Sequence, residues 1–381
     1  MDQQHATADY DLAIIGASFA GLVAARTAAH RGLKVAVIDA KNEPGARVRT
    51  TGVLVKEAVD ECDVPAALTR KIPGVRLYAP NGKHTDLTAP GYYFLATDTA
   101  AIMRWLAHEA SRAGAHMLFG ARFTGATRHE TYISLHGLGI STRYMLGADG
   151  AKSSVAKAFN LGRNTEFMIG LETEYEETPS VDPDYLHCFI DTQLAPGYLG
   201  WVVPGVGMTQ VGLAVSNGLF GETRKPDYQA FLNHIDTRFA FWNCEVLRKR
   251  SGPIPCGGLV SPLSGYRVLL TGDAAGLVSP LTAGGIRLAF QYGRRAGGAI
   301  ANYLLDDGPD PGLVMARDYP RFGVKTWMRR LWSAAPPNAL LNATLFTPPM
   351  RALAKRIYFE KRRTARGRFP QTPSECKNYA L

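Results

Sequence analysis

The sequence predicts an α/β fold with an α+β insert, and three observations carry that expectation. Residues 10–38 read as strand, glycine turn, alanine-rich helix and strand; residues 165–260 hold several short strand-like runs; a buried strand and a long helix return after Arg267. In chain order, Tyr10–Ile15 (YDLAII) is a short apolar run that stops at Gly16, and residues 20–31 have the small, alanine-rich composition of a helix packed closely on a sheet. Residues 34–38 (KVAVI) make a second buried strand, so about 30 residues hold a βαβ unit whose parallel strands need the crossover helix. From Arg70 the pattern turns irregular, with Pro and Gly among aromatics, and residues 98–114 then read as an amphipathic helix. The runs at Gly200–Pro204 and 210–216 suit an antiparallel sheet, while 267–270 is again a buried strand and 285–305 a long helix.

A chain of 381 residues exceeds one ordinary compact domain. The expected division is therefore a discontinuous first domain (1–70, 98–165 and 262–310), a β-rich insert (71–97 and 166–261) and a helical carboxy-terminal segment (311–381). Apolar residues at 46% and charged ones at 20% fit a globular chain and exclude wholesale disorder. The net charge of +10 is local: from residue 313 onward 14 Lys and Arg face three Asp and Glu, net +11, which leaves residues 1–312 at −1. A basic tail on a neutral body expects anions, lipid phosphates as readily as nucleic acid, and no nucleic-acid motif accompanies it, so no nucleic-acid partner is expected. Five scattered cysteines without C-x-x-C spacing point to a reducing cytoplasm and away from a disulfide framework or a metal site. The polar start is not a secretory signal, and no stretch approaches the roughly 20 apolar residues of a membrane span, so any membrane contact is expected to be peripheral.

Gly16-Ala17-Ser18-Phe19-Ala20-Gly21 occupies the strand-to-helix turn where the dinucleotide fingerprint G-x-G-x-x-G is expected, which makes the first domain Rossmann-like. Gly16 permits the tight turn and Gly21 lets helix and strand approach. The helix amino terminus offers free N–H groups and partial positive charge to a pyrophosphate. Ser18 replaces the middle glycine; it is small, and its hydroxyl can donate to a phosphate. Asp39, followed by Ala40, ends the second strand 23 residues after Gly16, where an acid accepts hydrogen bonds from an adenosine ribose and repels a 2′-phosphate. Two later motifs separate FAD from NAD: Leu146-Gly147-Ala148-Asp149-Gly150, and Gly272-Asp273 followed by Pro280 and Gly284-Gly285-Ile286. A simple NAD dehydrogenase has no use for either, whereas an extended FAD needs a second set of contacts.

With these motifs, residues 8–305 resemble the flavoproteins typified by p-hydroxybenzoate hydroxylase and, within them, the geranylgeranyl reductase family. The resemblance implies that Asp273 contacts the ribityl–pyrophosphate region, that Gly284 and Gly285 lie against the flavin pyrimidine, and that Arg47, Arg49 and Phe123 border the FAD. Independently, a helix beginning at Gly285 beside the flavin would stabilise its anionic reduced form. This chain has Thr50 where some of these reductases carry a cysteine, and Ala156 where an Arg commonly ends the Asp149-Gly150 motif. Tyr198-Leu199-Gly200-Trp201-Val202-Val203-Pro204 resembles the family's substrate motif, with two residues rather than one between tyrosine and tryptophan. Tyr198, Trp201 and Pro204 are therefore the expected substrate residues, against the plain alternative of core aromatics in a sheet.

Toward the carboxy terminus, Trp327, Met328, Leu331 and Trp332 interleave with Arg329 and Arg330, and Leu353 and Ile357 share a short helix with bases ahead of Lys361, Arg362 and Arg363. This composition fits an interfacial helix on anionic lipid, or equally a solvated helix packed on the body. Three functions remain open: a reductase of carbon–carbon double bonds in an isoprenoid or other apolar lipid, a monooxygenase of an apolar or aromatic substrate, and an electron-transfer flavoprotein. The electron donor, NAD(P)H or ferredoxin-like, the catalytic residues and the oligomeric state are not legible.

Overall fold

Tyr10–Ile15 and Val35–Asp39 are almost wholly buried, as central strands covered on both faces must be. In the computed structural model, which describes residues 8–178, 180–216 and 224–359, they lie side by side in an eight-stranded sheet. Its five parallel strands run in the order Val268–Leu270, Ile140–Gly147, Tyr10–Ile15, Val35–Asp39, His116–Phe119. Ser264–Gly265 pairs antiparallel at one edge, and the hairpin Ala126–Arg128/Ile133–Leu135 pairs antiparallel with Ile140–Gly147. The helix expected at 98–114 spans Thr99–Arg112, and the Asp98 carboxylate caps it by accepting from the Ala101 N–H at 2.9 Å.

A second, seven-stranded sheet runs Val246–Pro255, Phe167–Glu176, Met208–Ser216, Gly200–Pro204, Tyr185–Phe189, Gly74–Tyr78, His84–Thr88. Its pairings are antiparallel, as expected for the insert, with one exception: Tyr185–Phe189 lies parallel to Gly74–Tyr78. A parallel pair needs a long connection, and the chain between Tyr78 and Tyr185 supplies one by passing back through the first sheet. Val53–Val55, Phe94–Thr97 and Thr69–Ile72 form a small third sheet with strands from both sides of residue 70.

The first helix, Phe19–His30, and the long helix, Ile286–Leu305, cross at close range. A Cβ on Gly293 or Gly297 would fall 2.5 Å from the carbonyl oxygen of Ala20 or Ala24 respectively, so the backbones touch through glycine. Phe19 and Phe290 close one end of the crossing edge-to-face, with ring centroids 5.3 Å apart.

Four helices follow: Pro311–Asp318, Gly323–Ser333, Asn338–Thr344 and Pro348–Phe359. The last packs on the body, with Phe359 buried against Tyr92 and Phe94. Lys361, Arg362 and Arg363 lie outside the described residues.

The glycine contact predicts a specific pattern of stability. Gly297→Val should cost about 1–3 kcal/mol through overpacking, seen as a lower urea midpoint. Gly298→Ala, where an added Cβ meets nothing within 4 Å, should be neutral or stabilising.

Candidate active site

The turns at the carboxyl ends of the parallel strands open into one cavity of about 1030 Å³. This edge is where open α/β sheets take ligands. Gly16 has φ +109°, and a Cβ there would stand 2.3 Å from the Ala148 carbonyl oxygen, so the first turn and the Ala148–Gly150 turn are pressed together. Gly272 closes the third side: a Cβ on it would be 2.9 Å from Ala20 Cβ. Ser18 occupies the cap position of the first helix but its side chain makes no cap bond, and it faces the cavity.

The acids have different jobs. Asp39 accepts from the Ala17 N–H at 2.7 Å and from the Lys41 N–H at 2.8 Å, one bond on each oxygen, so each keeps acceptor capacity on the cavity wall. Asp149 is engaged more fully, accepting from the Ser153 and Ser154 hydroxyls and the Ser154 and Val155 amides at 2.6–3.1 Å. It organises the start of the Ser154–Ala158 helix, leaving Gly150 to meet a ligand. Asp273 opens onto the cavity while protein encloses it on the other sides, and that burial pushes its pKa up to about 6.

Of the sequence-predicted cofactor residues, the cavity wall gathers Gly16, Ser18, Ala20, Asp39, Ala40, Arg47, Arg49, Phe123, Asp149, Gly150, Gly272, Asp273, Gly284, Gly285 and Ile286. Three stand behind it. The Ala17 amide is turned to Asp39, Gly21 packs on the Gly16 carbonyl, where a Cβ would come within 1.9 Å, and Pro280 is buried in the turn that presents Leu281–Gly284. Among the substrate residues Tyr198 and Trp201 line the cavity and Pro204 does not, because side chains alternate along Gly200–Pro204 and Val203 takes the inward place. Tyr198 precedes the strand and donates its hydroxyl to the Thr282 carbonyl at 2.8 Å, bridging to the Ser279–Gly285 turn.

The expectation that Arg329 lies on a lipid-facing surface is corrected. Its side chain is buried 5.6 Å from the Tyr198 ring, and burial lowers its pKa. Further residues complete the wall. Glu172 and Arg250, not singled out in the sequence, form a buried ion pair on the second sheet, and Cys188 meets Tyr358. Met328, Trp332 and Leu353, expected on an interfacial or a solvated helix, turn to the cavity together with Met350. No local motif marks Glu172, Arg250 or Cys188; only the alternation of their strands would have hinted at their direction.

The glycine cradle, the Ser18 hydroxyl, the Asp39 acceptor and the cavity's volume fit an extended dinucleotide. The family model described as "FAD binding domain" matches residues 9–314. The digeranylgeranylglycerophospholipid reductase 1 of Methanothermobacter thermautotrophicus is 30% identical over 312 residues, 77% of this chain and 77% of the relative. This chain belongs to the geranylgeranyl reductase family of FAD-dependent oxidoreductases. A second family member, the digeranylgeranylglycerophospholipid reductase of Methanosarcina acetivorans, is 29% identical over 76% of this chain and 74% of its own. A solved geranylgeranyl bacteriochlorophyll reductase-like protein from Thermoplasma acidophilum shares the fold, with a TM-score of 0.76 at 22% identity, covering 92% of this chain and 97% of that one.

For this FAD-dependent enzyme, Asp273→Ala is expected to lower the flavin content of the purified protein severalfold, read as visible absorbance per polypeptide. A fully yellow variant would contradict a role for Asp273 in holding FAD.

Proposed function

We propose that this enzyme reduces carbon–carbon double bonds in an isoprenoid or another apolar lipid. The observation that carries it is continuity: the same cavity that begins among the glycine turns ends in a chamber walled by Phe94, Leu186, Val203, Trp332, Met350 and Leu353. Such a chamber desolvates a hydrocarbon chain and offers a polyol or sugar little to bond. The names of the curated relatives point the same way.

In this reading the Gly16–Ser18 turn, Asp39, Asp273 and Gly284–Gly285 would hold FAD, which when bound and reduced would supply hydride chemistry. The chain's own residues do the rest. Amides at the amino terminus of the Ile286–Leu305 helix favour negative charge beside them. Tyr198 pins the Ser279–Gly285 turn to the chamber, and the apolar walls keep bulk water from the reacting carbons. The residue segments 1–70, 98–165 and 262–310 would form the FAD-binding domain, and 71–97 with 166–261 the substrate domain.

Peripheral membrane contact belongs to the same proposal. On the Gly323–Ser333 helix, Met328 and Trp332 face the cavity, while Val324 (74% exposed), Trp327 (62%) and Leu331 (55%) share the outward face at i, i+3 and i+7. Exposed Arg321, Lys325 and Arg330 surround them. Apolar side chains ringed by bases suit an anionic lipid surface, and the helix would then stand between the bilayer and the chamber. No helix among the described residues is long and apolar enough to cross a membrane.

Two outcomes test these readings. After anaerobic chemical reduction of the yellow protein, a geranylgeranyl lipid should reoxidise the flavin and return as a product heavier by hydrogen. If reoxidation needs O₂ and the product has gained oxygen, the monooxygenase alternative holds instead. Binding to anionic vesicles should weaken with added salt and fall about tenfold in a Trp327→Ala, Leu331→Ala double variant; unchanged co-sedimentation would remove the membrane proposal and leave the reductase one standing.

A further inference from the structure

A charged cluster lies in the wall of the apolar chamber. Glu172, Gly212 and Trp201 stand opposite one another across three neighbouring strands of the second sheet, and Arg250 faces Glu172 from the strand on its far side. The row Arg250, Glu172, Gly212, Trp201 therefore crosses four strands in register. The Trp201 indole lies over Gly212, where a Cβ would be 2.5 Å from Cζ2, and reaches past it to donate its Nε1–H to Glu172 Oε2 at 2.7 Å. The Thr51 hydroxyl donates to the same oxygen. Arg250 donates Nε–H to Oε1 at 2.7 Å and a second guanidinium N–H beside it, and Arg250 also meets Glu174 at 2.9 Å.

A carboxylate this buried is costly unless its lone pairs are met. Glu172, with its side chain 4% exposed, has them met by donors from three distant segments, and both oxygens are saturated. Its effect is on shape: with Gly212 it fixes one orientation of a tryptophan in the wall. Gln210, two residues before Gly212 on the same strand, holds the Thr51 carbonyl through Nε2 at 2.9 Å, so the residue 50–52 loop is fastened to the sheet at two points.

We propose that Glu172 and Gly212 are specificity-determining positioning residues that act through Trp201. Glu172 locks the indole flat, and the flat indole sets how far an isoprenoid chain enters and which double bond is presented for reduction. This rests on the isoprenoid reading above. Glu172→Gln weakens the bond to the indole but keeps the shape; Trp201→Phe keeps a ring and removes the N–H, and stands in if the first variant fails to fold; Gly212→Ala pushes the ring off the sheet.

The test uses the full chain with FAD bound. Geranylgeraniol is titrated while the flavin visible spectrum is followed, and the positions of reduced double bonds in the product are mapped by mass spectrometry. Glu172→Gln and Trp201→Phe should each weaken binding about tenfold, the cost of one hydrogen bond to a charged group, and both should redistribute which bonds are reduced. The double variant should be no weaker than Trp201→Phe alone, because both changes break the same bond. Gly212→Ala should redistribute the products in the same direction. A parental bond pattern and affinity in Trp201→Phe, or losses that multiply to about a hundredfold in the double variant, would overturn the proposal while leaving the reductase reading intact. A parent protein whose spectrum ignores geranylgeraniol would overturn both.

Discussion

The close crossing of two helices is the constraint on which the site depends. Phe19–His30 starts at the first glycine turn and Ile286–Leu305 starts at the last, and their amino termini converge only because Gly293 and Gly297 let the long helix lie on the Ala20 and Ala24 carbonyls. Side chains at those two positions would hold the helices apart and part the turns, since this end of the cavity is walled largely by glycine turns, which have no side chains to extend in compensation. The parallel sheet beneath then fixes the height of each turn: the Ala148 amide bonds to the Ile15 carbonyl, and the Thr271 amide to the Gly147 carbonyl. The cradle is thus set by backbone geometry, with Asp39 and Asp273 adding carboxylates to its wall.

The second sheet solves a different problem. Under the proposed reading it would offer hydrocarbon surface to a lipid while staying rigid enough to discriminate among similar double bonds, and apolar contacts alone are poor at this because one methylene changes binding little. A buried ion pair that holds one aromatic ring supplies direction to a wall that is otherwise largely apolar. The chamber is closed by helices from the carboxy-terminal segment, which also carry the exposed Val324, Trp327 and Leu331.

Legibility followed the range of the interactions. The βαβ unit, the helix at Thr99–Arg112 and the long helix rest on local patterns, and their observed bounds lie within two residues of those expected. The glycine turns were legible because backbone approach to a ligand restricts residue type at fixed spacing. What stayed hidden depends on distant pairing. Glu172 becomes special only when register puts it opposite Gly212 and Arg250, and Arg329 reads as one more surface base until the fold lays it under Tyr198. Pro204 fails as a cavity residue for the simplest reason, the period-two alternation of its strand.

The chamber draws its wall from nearly the whole polypeptide, from Ile15 to Tyr358. During synthesis, which delivers the amino-terminal part first, the βαβ unit can form early. The apolar end cannot be sealed until Pro348–Phe359 has emerged and Phe359 has docked on Tyr92 and Phe94. An apolar cavern therefore stays exposed to solvent until that helix has been made, and until then the nascent chain carries its greatest risk of sticking to other proteins.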